Sequence, residues 1–132
     1  DALKNNNFDF IKYIFDVTIY TYSKPTEEAN KIYLTDSLKQ RNLVDVDWAL
    51  ANLNMSKDHN FYKQGDDTIS HIKAPVLHIW GSHDKTVPEF MILDNIKALE
   101  NQSTYVKFDQ CGHSPLVDKI DELTKTILDF IE

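Results

Sequence analysis

Pro75-Val76-Leu77-His78-Ile79-Trp80-Gly81-Ser82-His83-Asp84-Lys85-Thr86-Val87-Pro88 opens on a short, nearly continuous apolar run closed by a glycine. That is the pattern of a strand buried on both faces. Beyond Pro88, Ile92, Ile96 and Leu99 recur at i, i+4 and i+7, which predicts an amphipathic helix with proline near its start. Thr104 to Phe108, carrying Tyr105, Val106 and Phe108, reads as a second strand, and Ile120, Leu123, Ile127 and Ile131 mark a last amphipathic helix. Strand, helix, strand, helix in that order is a βαβα unit with parallel strands joined by a right-handed crossover. The fold class is therefore α/β. Two parallel strands normally belong to a larger sheet, and neither the rest of the chain nor an internal repeat supplies the other strands.

Upstream the texture is helical. Phe8, Ile11, Phe15 and Tyr22 fall near one stripe, with Ile14 and Val17 beside it, and predict a first helix ending before Ser23. The β-branched run Val17-Thr18-Ile19 weakens its end. Ser23 and Thr26 are candidate N-caps for a second helix with Pro25, Glu27 and Glu28 at its start and Ile32, Tyr33 and Leu38 as apolar positions. Asp45 or Asp47 is the expected cap of a third helix bearing Trp48, Leu50 and Leu53. Asn54 to Asp67 is polar and reads as a connecting loop.

The 132 residues, 42% hydrophobic and 11% aromatic, are enough for one small domain and argue against intrinsic disorder. The formal charge is −7, and both residues 1–70 (eight basic, eleven acidic) and residues 71–132 (six and ten) are acidic. No basic face for a nucleic acid is concealed by averaging. The single Cys111 has no internal disulfide partner, and no apolar run approaches the ~20 residues of a membrane span. The chain reads as soluble, with the cytoplasm as the expected compartment and no membrane partner. It begins Asp1-Ala2-Leu3, without an initiator Met, a basic n-region or an apolar h-region, which is expected of a processed or cut chain or a piece of a longer one.

Two loops follow directly on predicted strand ends, where open α/β sheets place functional groups. They are Gly81-Ser82-His83-Asp84-Lys85-Thr86-Val87-Pro88 and Gln110-Cys111-Gly112-His113-Ser114-Pro115. An Asp after one strand and a His after the next can meet at the carboxyl edge, the Asp accepting from one imidazole nitrogen while the other acts as base.

The run from Ile72 to Pro88, followed by Cys111-Gly112-His113-Ser114-Pro115 and a closing amphipathic helix, resembles the C-terminal third of the α/β-hydrolase superfamily. There the strand ending W-G-x-x-D-x-x-V-P bears the triad acid, and the G-H-S/x-P loop bears the triad histidine. The resemblance implies that Asp84 is the acid and His113 the base. It covers residues 69–132, the C-terminal βαβα part of the catalytic domain, and implies that residues 1–68 are a helical cap-like segment. It further implies a parent enzyme that cleaves a small carboxylic ester or acyl substrate by a Ser-His-Asp mechanism, with no metal and no organic cofactor. Peptidase, lactonase, carbon–carbon bond hydrolase and dehalogenase chemistry use the same scaffold, so the fold alone does not choose the substrate.

The family's nucleophile sits on a Gly-x-Ser-x-Gly elbow, which needs two glycines four residues apart. The three glycines here, Gly65, Gly81 and Gly112, are sixteen and thirty-one residues apart. None of Ser23, Ser37, Ser56, Ser70, Ser82, Ser103 and Ser114 is therefore an elbow serine, and the oxyanion-hole loop is also missing. The nucleophile is expected upstream of this chain, and the chain alone is expected to be inactive. Blander readings compete at each position. Asp84 alone is a turn residue, His113 alone a loop histidine, and Trp80 a core or pocket wall. His78 and His83 as metal ligands with Asp84 lack the spacing of a metal site, and Cys111, two residues from His113, reads as a packed thiol. Aromatics of the helical half, among them Tyr13, Tyr20, Tyr22, Tyr33 and Trp48, are expected to be packing residues first and pocket lining second. The alternative from a different class is a non-catalytic domain that self-associates or binds a partner through exposed sheet edges.

Overall fold

The computed structural model describes residues 4–132, so that Asp1-Ala2-Leu3, on which the reading of the chain start rests, lies outside the described residues. Helix α1 (Phe8–Thr18) begins where Asn7 Oδ1 accepts the Phe10 N–H at 3.1 Å. It stops within the β-branched run, where the N–H groups of Ile19 and Tyr20 both donate to Phe15 O at 2.9 Å. The chain then turns inward, burying Tyr20 edge-on to Phe15 and stacked on Tyr33.

Helix α2 (Glu27–Ser37) is capped by Thr26, whose Oγ1 accepts the Ala29 N–H at 3.2 Å, as the spacing predicts. Ser23 is not a cap, because the helix begins four residues further on, at Glu27 behind Thr26, and the Ser23 N–H is donated to the distant Asp118. The buried position of α2 is Leu34, whereas Ile32 and Tyr33 are exposed. Helix α3 (Leu43–Asn52) starts earlier than Asp45 or Asp47 would place it. Asn42 stands at its N-cap without a side-chain bond, and Asp45 lies in the first turn, where the helix dipole favours acid. Residues 54–67 form the expected loop, closed on itself by Asn54 Nδ2, which donates to Asp58 O and Lys63 O, and by an antiparallel bridge between His59 and Gln64.

Past a 3₁₀ turn at Thr68–His71, strand β1 (Val76–Gly81) leads through helix α4 (Glu89–Leu99) to strand β2 (Ser103–Phe108). The strands are parallel, in register from Val76 opposite Ser103 to Gly81 opposite Phe108. Among the described residues the sheet has these two strands. A four-residue helix α5 (Pro115–Asp118), too short to leave a periodic signal in the sequence, precedes α6 (Ile120–Ile131). Phe108 and Cys111 have no exposed surface, and Ile11, Tyr20, Leu34, Trp80 and Leu99 complete the buried apolar set. The two loops emerge at the carboxyl ends of the strands. Among the described residues no helix is long and apolar enough to cross a membrane.

Candidate active site

The first loop folds back as soon as β1 ends. The Asp84 N–H donates to Gly81 O at 2.9 Å, and Asp84 Oδ1 accepts the N–H groups of Thr86 at 2.7 Å and Val87 at 3.0 Å. Trp80 Nε1, in the strand, donates to Val87 O at 2.8 Å, so the turn is pinned at both ends. Behind it Glu89 accepts from Tyr105 Oη at 2.8 Å and from Lys107 Nζ, which also lies 4.8 Å from the centre of the Trp80 ring. These bonds hold the Glu89 carboxyl below its ordinary range, while burial, followed by the Glu89 contact, pushes the Tyr105 hydroxyl up to about 12.

The second loop is zipped to the first by main chain. Ser82 N–H donates to Phe108 O at 2.8 Å and His83 N–H to Cys111 O at 2.7 Å. Gln110 takes up a left-handed turn (φ 51°) and donates its N–H to Ser82 Oγ at 3.0 Å, the same hydroxyl that donates to Asp109 Oδ1 at 3.1 Å. Such close approach requires glycine at position 81, because a Cβ there would lie 2.2 Å from Gly112 O and 2.4 Å from Cys111 O.

The two loops bring Asp84 and His113 together, with Oδ2 and Nδ1 2.9 Å apart. The Asp84 side chain is 6% exposed and that of His113 36%. Both carboxylate oxygens act as acceptors, Oδ1 for two backbone N–H groups and Oδ2 for the ring, so the imidazole carries its proton on Nδ1 and leaves the Nε2 lone pair free. A cavity of about 120 Å³ lies beside the pair, walled by Trp80, Val87, Ile92 and Pro115.

The other sequence candidates fall elsewhere. His83 sits one residue from Asp84, but its Nδ1 is 2.9 Å from Ser82 Oγ and its ring tilts against Tyr22. His78 Nε2 is 3.3 Å from Ser103 Oγ, and burial lowers its pKa. Among the described residues no group of three or more His, Cys, Asp or Glu side chains is placed to hold a metal. Cys111 is wholly enclosed, and its thiol is pushed up to about 11, chiefly by burial and then by the Asp118 carboxylate, so it is a packing residue. Trp80 is core, as expected.

Sequence reasoning missed the segment 18–23, which crosses the mouths of both loops. Thr18 O accepts from Thr86 Oγ1 at 2.9 Å, Ile19 O from the His113 N–H at 3.2 Å, and Thr21 Oγ1 donates to His83 O at 2.6 Å. It also missed Asp118, whose oxygens accept the N–H groups of Gly112 at 2.7 Å and Ser23 at 2.8 Å. The partners of Ser23 and Asp118 are 95 residues apart, and no local pattern marks either.

A parallel βαβα unit with an Asp–His pair at its carboxyl edge is the arrangement of α/β-hydrolases. The alpha/beta hydrolase fold family model matches residues 13–120, and the chain belongs to that family. It is 28% identical over 126 residues to 2-hydroxy-6-oxononadienedioate/2-hydroxy-6-oxononatrienedioate hydrolase 2 of Pseudomonas putida, covering 94% of this chain and 42% of that protein. A hydrolase of the same name from Paraburkholderia phymatum is 29% identical over 123 residues, covering 92% of this chain and 40% of its own length. The corresponding protein of Burkholderia vietnamiensis is 28% identical with the same coverage. The chain thus spans about two fifths of the length of these relatives.

Proposed function

We propose that this chain supplies the acid and the base of a Ser-His-Asp hydrolase. Residues 1–68 serve as its helical cap segment and residues 69–132 as the C-terminal part of its catalytic domain. The observation that carries the proposal is the 2.9 Å contact between His113 Nδ1 and a 6%-exposed Asp84 whose other oxygen is held by two backbone N–H groups. A carboxylate fixed in this way orients the ring, sets its tautomer and stabilises the imidazolium that forms during turnover.

His113 Nε2 takes the proton of a serine hydroxyl, contributed by sequence preceding residue 1 in the full-length protein, as the serine oxygen attacks the substrate carbonyl. The imidazolium then returns that proton to the leaving group. In the second half His113 takes a proton from water, whose oxygen attacks the acyl-enzyme, and the proton passes back to the serine. The substrate is a small acyl compound, either a carboxylic ester or a keto acid of the type in the relatives' names, which denote a chain with hydroxyl, keto and two carboxylate groups.

Steady-state hydrolysis by the full-length protein, with a p-nitrophenyl ester and a 2-hydroxy-6-oxo dienedioate as alternative substrates, tests the assignment. His113→Ala is expected to lower kcat by about 10³-fold or more on whichever is turned over. Near-wild-type turnover by that variant on both would refute the base role. A serine-reactive phosphonate is expected to label the full-length protein and to leave the 132-residue chain unlabelled; labelling of the latter would place a nucleophile within it.

A further inference from the structure

We infer that Asp118 is a positioning residue that sets the direction of the His113 side chain and makes it depend on the seat of segment 18–23. The inference rests on the assignment of Asp84 and His113 just proposed. Its basis is the pair of successive backbone amides around Gly112. The Gly112 N–H is held by Asp118 Oδ2 at 2.7 Å, and the next amide, that of His113, donates to Ile19 O at 3.2 Å.

Glycine is the residue with the most backbone freedom, and rotation about its φ and ψ would swing the following Cα–Cβ bond. Fixing the peptide planes on both sides of Gly112 removes that rotation and aims the imidazole at Asp84. One of the two anchors is a charged acceptor, which makes the shorter and stronger bond. The other anchor belongs to segment 18–23, and Asp118 holds that segment as well, through Ser23 N–H at 2.8 Å on its second oxygen. A single carboxylate therefore ties the base loop to the helical segment.

The same segment grips the acid loop. Thr21 Oγ1 donates to His83 O at 2.6 Å, and Thr86 Oγ1 donates to Thr18 O at 2.9 Å, from the residue whose own N–H, with that of Val87, holds Asp84. Gly112 lies close against the segment, since a Cβ on it would be 2.6 Å from Thr21 Oγ1 and 3.1 Å from Ile19 O. Movement of the helical segment on its base thus reaches both members of the pair, through the Ile19–His113 main-chain bond on one side and the Thr21 and Thr86 hydroxyls on the other.

The test uses the full-length protein and reads both turnover and the far-downfield proton resonance of the Asp84–His113 hydrogen bond. Asp118→Asn keeps size but offers one acceptor oxygen to two N–H donors. It is expected to lower kcat by roughly 10- to 100-fold, as sub-ångström to ångström misplacement of a catalytic group does, with KM within about threefold and the resonance broadened or shifted. Wild-type kcat, or a reduced kcat with the resonance unmoved, would overturn the inference. Should Asp118→Asn fail to fold, Thr21→Val decides by the same readouts. It removes the grip on the acid loop without touching Asp118, and it is expected to lower kcat at least ~3-fold and move the resonance by the same coupling. Unchanged values in that variant would equally overturn the inference. His113→Ala separates the two levels. If it stays active, the site assignment fails; if it is dead while Asp118→Asn is wild-type in both readouts, only the positioning role fails.

Discussion

At the scale of the residue, a buried carboxylate with every acceptor position directed is sensitive to loss of one oxygen. Asp84→Asn can keep its oxygen toward the Thr86 and Val87 amides only by turning its NH₂ toward His113 Nδ1, which forces the proton onto Nε2. We expect kcat in the full-length protein to fall by about 10³- to 10⁴-fold with little change in melting temperature, measured by steady-state kinetics alongside thermal unfolding. Cys111 makes the opposite prediction. Its thiol is raised in the folded state, so the folded chain holds its proton more tightly than the unfolded one above pH 9. The associated stability is complete below the unfolded pKa and is lost as pH rises toward about 11. Alkylation by iodoacetamide at pH 8 should therefore be slow in native buffer and fast in denaturant; equal rates would mean that the thiol is accessible. That Asp84 and His113 meet and that Cys111 is packed away was legible in the sequence, because these residues lie in, or next to, short motifs directly after strand ends. Asp118 was not, since an aspartate five residues beyond a histidine looks like any helix-end acid until its partners are known.

At the scale of the element, legibility followed periodicity. Strands β1 and β2 and helices α4 and α6 show continuous apolar runs or i, i+4, i+7 recurrence, and they appear within a residue or two of where the pattern puts them. Helix α5 has four residues and no room for a period. The start of α3 was misplaced because acid is equally favourable as a cap or one turn inside, and here Asp45 takes the second role. Thr26 is the cap whose bond is in place, and Thr26→Ala should cost about 1 kcal/mol in chemical denaturation. The glycine at the end of β1 is less forgiving. Gly81→Ala would drive a methyl into the backbone carbonyls of Cys111 and Gly112, and a loss of about 3 kcal/mol or more is expected from the same measurement.

At the scale of the whole molecule, much apolar surface is left uncovered. Trp48, Leu50 and Leu53 on and beside α3, Phe61 in the loop, and Ile120, Ile127 and Ile131 on α6 are all exposed, and β1 and β2 among the described residues pair only with each other. Surface of this kind and an open strand edge favour association, against which the net charge of −7 acts only weakly at physiological salt. The 132-residue chain by itself is expected to elute above monomer size in size-exclusion chromatography at micromolar concentration; a sharp monomer peak would contradict this. That the described residues hold two strands of a parallel sheet was legible from the apolar pattern. How the helical segment sits on the loops was not, because the bonds that seat it join residues tens of positions apart, each with a backbone group on at least one side, and no local pattern marks them.

The contact between Gly81 and the Cys111-Gly112 carbonyls has one more consequence. The separation of the two loops is set where main chain meets main chain, with the Ser82 hydroxyl adding bonds to Gln110 and Asp109. Among the walls of the adjoining cavity, Val87 and Pro115 belong to the two loops themselves, whereas Ile92 projects from α4. A substitution at Ile92 therefore reshapes the cavity without removing any of the bonds that hold Asp84 and His113. The shape of the cavity and the spacing of the pair are thus separable at that position, while the spacing itself is bounded by glycine at position 81.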